Sequence, residues 1–140
     1  MEMAIGDLAR RAGLAASTIR YYEEVGLLPP AARTSGRRVF DEQTLDRLLV
    51  IAVAKEAGFS LREIRQLFHG FASDTPAGVR WRTLATAKLA EVEALAARID
   101  TMKQLLREAL RCGCVELDAC AQLFRARTAS GRVETFFKMR

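Results

Sequence analysis

The sequence predicts an all-α protein with a small β wing: a winged helix-turn-helix domain followed by one long coiled-coil helix. Three observations carry that expectation. Two short helical patterns stand on either side of Gly13, and a turn signal, Ser35-Gly36, is crowded by Arg33, Arg37 and Arg38. From Val79 to Arg111 there is neither proline nor glycine, and apolar side chains alternate there at three and four residues.

The first pattern, Ile5-Gly-Asp-Leu-Ala-Arg-Arg-Ala12, closes at Gly13. In the second, Ile19, Tyr22 and Val25 fall on one face at i, i+3 and i+6, and Gly26 with Pro29-Pro30 ends it. Ser17, Thr18, Arg20 and Tyr21 remain on the other faces, where their side chains suit hydrogen bonding to phosphates or base edges. Two helices joined by a tight turn make a helix-turn-helix with the second in the reading position; the plain alternative is a helical hairpin with a polar face. The segments flanking Ser35-Gly36 pair as a two-stranded ribbon whose arginines suit a phosphate backbone, and the bland alternative is a solvated basic turn.

Asp41 reads as the N-cap of a helix carrying Leu45, Leu48, Leu49, Ile51, Ala52 and Ala54 and ending near Gly58. Ser60 caps the next, Leu61 to Phe68, with Glu63 completing a capping box and Arg62 and Arg65 as exposed charges. His69, the single histidine, is expected as a cap or surface group at that helix's end. These elements place a DNA-binding domain at 1–70 and a linker at 71–78. A helix over 79–111 would run about 50 Å at ~1.5 Å per residue, too long for the core of so small a domain. Val92, Leu95, Ile99, Met102, Leu106 and Ala109 form an a/d seam, which asks for a helix partner, and Trp81 reads as an anchor to the neighbouring domain. Gly113 breaks the helix, and Leu117, Cys120, Ala121 and Phe124 suit a short closing helix, so 112–126 is a cysteine loop and helix and 127–140 a basic tail.

The net charge of +5 suits a polyanionic partner. The first 69 residues nonetheless hold ten Lys+Arg against nine Asp+Glu, so local clustering rather than bulk charge must carry any DNA contact. No apolar run reaches the ~18 residues of a membrane span, and no signal-peptide pattern opens the chain, so the expected compartment is the cytoplasm. The three cysteines, Cys112, Cys114 and Cys120, fit thiolate chemistry better than a disulfide scaffold. Thiolates select soft metals such as Cu(I), and also Zn(II) and iron–sulfur clusters. The histidine lies far in sequence from the cysteines, and no paired nucleophile and base or phosphate loop is present, so an enzyme is not expected.

Ile5-Gly-Asp-Leu-Ala, Thr18-Ile-Arg-Tyr-Tyr-Glu-Glu-Val-Gly-Leu28, Arg33 to Phe40 and Gly58-Phe-Ser-Leu-Arg-Glu-Ile64 together resemble the DNA-binding domain of the MerR family of bacterial transcription regulators. The resemblance implies an antiparallel coiled-coil homodimer that binds double-stranded promoter DNA. On effector binding it bends and untwists that DNA for RNA polymerase. It implies DNA contacts from Ser17, Thr18, Arg20, Tyr21, Arg33, Arg37, Arg38 and Phe40. The wing usually carries two tyrosines in this family; Arg37 and Phe40 stand in their places. Cys112-x7-Cys120 is similar to the effector loop of copper-sensing members, where two thiolates hold a monovalent ion. Divalent-metal sensors add a cysteine near the start of the dimer helix, and none precedes Cys112; Cys114 offers a third local thiolate instead. The run is also similar to three of the four cluster ligands of redox-sensing members, with Ala109 where the first would fall. The expectation is a regulator responsive to Cu(I) or another soft ion. Zn(II), an iron–sulfur cluster, thiol redox control and an effector-independent architectural DNA binder remain as alternatives.

Overall fold

The structure, a computed structural model, describes residues 1–125. The expected basic tail at 127–140 lies outside the described residues. The elements run β1 (Met3–Ala4), α1 (Ile5–Ala12), α2 (Ala16–Glu24), β2 (Ala32–Thr34), β3 (Arg37–Phe40), α3 (Glu42–Glu56), α4 (Leu61–His69), α5 (Ala77–Leu110) and α6 (Leu117–Arg125). Two compact units result, Met1–Val92 and a second beginning at Glu93.

Local chemistry sets the ends of the first unit's helices. Gly13 ends α1 in the left-handed region at φ 66°, where a residue with a Cβ is strained. Asp41 caps α3 by accepting from the Thr44 N–H at 2.9 Å. Ser60 and Glu63 form the reciprocal capping box expected of them. Glu63 also pairs with Lys88 of α5 at 2.9 Å. The Ser60 backbone N–H and then the Lys88 ammonium hold the Glu63 carboxyl down at about 2.

The wing is a hairpin in which Thr34 faces Arg37 across Ser35 and Gly36. Those two residues have φ of 51° and 79°, as a two-residue type I′ turn requires. A third strand accompanies it: Met3 pairs with Phe40 and Ala4 with Val39, so the sheet order is β1-β3-β2. β3 is therefore central, and Phe40 is 4 % exposed beside buried Met3. The side chain of Phe40, expected among the DNA-contacting residues, thus lies in the core. Its ring fills the core with Leu8, Ile19, Tyr22, Leu27, Leu48, Ile51 and Ile64. On α3 the buried stripe is narrower than expected: Leu48, Ile51 and Ala54 point inward, while Leu49 and Ala52 are exposed.

α5 begins at Ala77, inside the expected linker, because Pro76 accepts the first helical N–H bonds from Val79 and Arg80 and Gly78 is tolerated in the first turn. Trp81 and Leu84 pack against the core, with Trp81 edge-on to Phe59, as the anchoring expectation required. His69 is exposed and donates from Nε2 to the Gly26 carbonyl at 2.9 Å. The junction between α4 and α5 is pinned by Arg80. Its guanidinium donates to the carbonyls of Thr75, Leu67, Phe68, Ala72 and Ser73 at 3.0–3.4 Å. These oxygens end α4 and line the turn after it, where no further helical N–H can reach them. Hydrogen bonds to a charged group contribute roughly 1.5–3 kcal/mol. Arg80→Ala is expected to lower the unfolding free energy by about 2 kcal/mol in urea denaturation with an unchanged slope.

The second unit contains the end of α5, the cysteine loop and α6. α5 buries no residue. Its seam positions Leu95, Ile99, Met102 and Leu106 are 47–63 % exposed. Among the described residues, no helix is long and apolar enough to cross a membrane.

Candidate functional site

Two groups of residues qualify, one in each unit. The first is built on α2 and the wing. α2 divides cleanly: Ile19 and Tyr22 are buried, while Ser17, Arg20 and Tyr21 are exposed and Thr18 is half-buried. That division follows from the 3.6-residue period, which puts 19 and 22 on one stripe. α2 starts after Ala15 with no side-chain cap, unlike α3 and α4. Its positive end is thus presented without an internal carboxylate or hydroxyl.

The wing adds Arg33, Arg37 and Arg38, all exposed to some degree. Arg33 and Arg38 are register partners across the hairpin, so two guanidinium groups stand on one face of the ribbon. Arg20, Arg33 and Arg38, with Glu23, Glu24, Pro30 and Ala31, line one concavity between α2 and the wing. Of the residues expected to contact DNA, the structure brings Arg20, Arg33 and Arg38 together in this concavity; Ser17, Thr18, Tyr21 and Arg37 lie outside its lining, and the Phe40 side chain is buried. Sequence reasoning missed Glu23. Its carboxylate is 10 % exposed and accepts from Arg38 at 3.1 Å and from the Ala31 backbone N–H at 2.8 Å. The available signal was an acid on the reading helix beside a basic hairpin.

The second group is the cysteines. Gly113 follows the end of α5 and turns the chain, and α6 returns Cys120 toward Cys112. The Sγ atoms of Cys112 and Cys120 are 3.5 Å apart, and the Cys114 N–H donates to Cys112 Sγ at 3.4 Å. All three Sγ atoms lie within 4.8 Å of one another. Cys112 and Cys120 are half-buried and Cys114 is exposed. The Cys114 N–H favours the Cys112 thiolate and draws that thiol below its ordinary value, while sharing with Cys112 and Cys120 pushes the Cys114 thiol up to about 11. A donor set of three soft sulfurs with no carboxylate or imidazole in the group fits a thiophilic ion and not a hard cation.

Comparison with known proteins gives a consistent picture. A family described as "MerR HTH family regulatory protein" matches residues 3–70, and one described as "MerR, DNA binding" matches residues 45–109. The chain is 35% identical over 108 residues to the mercuric resistance operon regulatory protein of Bacillus cereus, covering 76% of this chain and 80% of that one. The crystal structure of the transcription regulator PbrR691 from Ralstonia metallidurans CH34 in complex with lead(II) is similar at 32% identity and a TM-score of 0.69, over 81% of this chain and 90% of that one. The crystal structure of HiNmlR, a MerR family regulator lacking the sensor domain and bound to promoter DNA, is similar at 25% identity and a TM-score of 0.56, over 79% of this chain and 85% of that one.

Proposed function

The chain belongs to the MerR family of transcription regulators, and from that premise we propose that it is a homodimer that distorts promoter DNA in response to a soft thiophilic ion held by Cys112, Cys114 and Cys120. The observation that carries the proposal is the convergence of three thiols within 4.8 Å just beyond the long helix. The family is one of DNA-binding regulatory proteins rather than enzymes. The related Bacillus cereus protein is named for mercuric resistance, and PbrR691 was crystallised with lead(II). Both support a soft ion here.

Ser17, Thr18, Arg20 and Tyr21 read the major groove, and Arg33 and Arg37 hold flanking phosphates. Among the described residues Arg20, Arg33 and Arg37 have no ion-pair partner of their own, so their guanidinium groups are available to a polyanion. The exposed seam from Leu95 to Leu106 supports an antiparallel helix pairing with a second copy. Two reading helices so placed address a pseudo-palindromic promoter that RNA polymerase also occupies.

Cu(I) is the ion proposed first, because the Cys112 and Cys120 Sγ atoms approach to 3.5 Å and no cysteine precedes Cys112 in the sequence. The energetics permit a switch. Moving a two-state equilibrium from 1:99 to 99:1 needs a differential affinity of about 5.5 kcal/mol, and thiolate-rich zinc sites bind with roughly 10–16 kcal/mol. Roughly a third to a little over half of such a binding energy, realised only in one arrangement of the loop, is comparable to the roughly 1–6 kcal/mol of bending a promoter.

The test of the DNA face is Arg20→Ala. Specific promoter binding is expected to vanish in a gel shift while the sedimentation coefficient stays that of the wild type. The wild-type protein should lose affinity steeply with salt. Undiminished binding by the variant would remove α2 from the reading position.

A further inference from the structure

We propose that Glu23 is the positioning residue that fixes the wing against the reading helix, and that Arg38 is its strut and not a phosphate contact. The inference rests on the reading that α2 and the wing face DNA. It goes further by dividing the basic residues into those that touch the nucleic acid and one that holds the others in place.

The geometry begins with a conflict in the hairpin. Arg33 and Arg38 are directly opposed on antiparallel strands, and like charges in that relation repel. β3 is held by its pairing with β1 and by buried Phe40, but β2 is an edge strand with no buried side chain, so its angle to α2 needs a further contact. Glu23 resolves both problems from a neighbouring element. One carboxylate oxygen accepts from the Arg38 guanidinium at 3.1 Å, and the other accepts from the Ala31 N–H at 2.8 Å, at the point where the chain enters β2. The same carboxylate thus holds the entry to the wing and its returning strand. Because Glu23 is on α2, one turn beyond Arg20, the wing is registered to the helix that reads bases as well as to the core that holds Phe40.

Burial supports the division of labour. The Glu23 side chain is 10 % exposed, and burying a carboxylate without partners is costly, so it keeps Arg38 and the Ala31 N–H as partners when DNA arrives. Arg38 is half-exposed through its stem, with its charge already matched. Arg33, its register partner, has no such match among the described residues. The phosphate-facing charge on this side of the wing is therefore that of Arg33.

The reading makes a sign prediction that separates it from simple electrostatics. An acid lying near DNA merely as a repulsive charge would strengthen binding when removed. A strut would weaken it. Glu23→Ala, Glu23→Gln, Arg38→Ala and Glu23→Ala/Arg38→Ala are compared with wild type by fluorescence anisotropy on the native promoter and on an unrelated duplex, at several salt concentrations. Thermal melts accompany each protein, and Arg20→Ala serves as the control for the DNA face. The expected result is a loss of at least tenfold in promoter affinity for Glu23→Ala, with affinity for the unrelated duplex unchanged or slightly raised. Glu23→Gln, whose amide oxygen can still accept from Ala31, should lose less. Arg38→Ala should retain the wild-type salt slope, and the double variant should bind no worse than Glu23→Ala alone. Tighter promoter binding by Glu23→Ala or Glu23→Gln, or a salt slope reduced by about one in Arg38→Ala, would overturn the strut. Should Glu23→Ala not fold, the Glu23→Gln affinity and the Arg38→Ala slope decide the matter by themselves. Wild-type binding by Arg20→Ala would instead fault the DNA face on which the inference stands.

Discussion

Cys112→Ser and Cys120→Ser are each expected to abolish metal-dependent transcription while leaving promoter affinity at the wild-type value. Serine keeps the shape of the side chain but replaces a thiolate-forming group with a hydroxyl that does not ionise near neutral pH, so the soft donor is lost without a large change in packing. The reading unit should be indifferent, because every cysteine of the chain lies between 112 and 120 and that unit ends at Val92. Cys114→Ser distinguishes the coordination number. A site held by Cys112 and Cys120, whose Sγ atoms are 3.5 Å apart, should keep a partial response, whereas a three-sulfur site should lose it. In-vitro transcription from the native promoter, run with Cu(I), Zn(II) and an oxidant, reads all three variants. An oxidant response that survives in the absence of metal would favour the thiol-redox alternative, for which the Cys112–Cys120 separation of 3.5 Å is the supporting observation. An unaltered response in all three would leave a regulator with its sensor elsewhere.

Ile99→Asp is expected to convert the proposed dimer to a monomer. Ile99 is 47 % exposed in a single chain and sits mid-seam, so the surface it shows is the surface a second helix would cover. Placing an ionised carboxylate there costs several kcal/mol unless water or a cation reaches it. Because an antiparallel pair contributes the change from both copies, a penalty of about 4 kcal/mol, or a thousandfold in the dimer Kd, is a modest expectation. Analytical ultracentrifugation at micromolar concentration should show the monomer, and promoter affinity should fall with it, since one reading helix addresses only half of a palindrome. A wild-type protein that sediments as a monomer would remove the coiled-coil pairing from the account.

The parts of the fold legible in the sequence were those decided by near neighbours. Asp41 and the Ser60–Glu63 pair cap helices through contacts three residues apart, and both caps are present. Ser35-Gly36 was readable because a two-residue turn demands unusual backbone angles of those two residues. The long helix was readable because apolar side chains recur along it at three and four residues with no proline or glycine from 79 to 111. What escaped depends on long-range geometry. β1 is two residues long and exists only by pairing with β3. That pairing buries Phe40, which from its place in a basic loop looked like part of the outer surface. Arg80 gathers carbonyls from two segments that no local pattern connects. The role of Glu23 likewise appears only once the hairpin lies against α2. Among the candidate site residues, the cysteines were visible as a cluster, but their convergence needed the turn at Gly113 and the return of α6.

The central claim is that the cysteine cluster, with Cys112 and Cys120 as its required donors, holds one soft metal ion, and a direct titration tests it. Full-length protein, purified anaerobically, is titrated with Cu(I) against a chromophoric chelator of known affinity, and the remaining reactive thiols are counted with a disulfide reagent. The account predicts one Cu(I) per protomer at a concentration where the chelator is stripped, with Cys112 and Cys120 masked from the reagent. Failure to retain Cu(I), together with all three cysteines staying fully reactive in the presence of Cu(I), Zn(II), Hg(II) and Pb(II) alike, would contradict it.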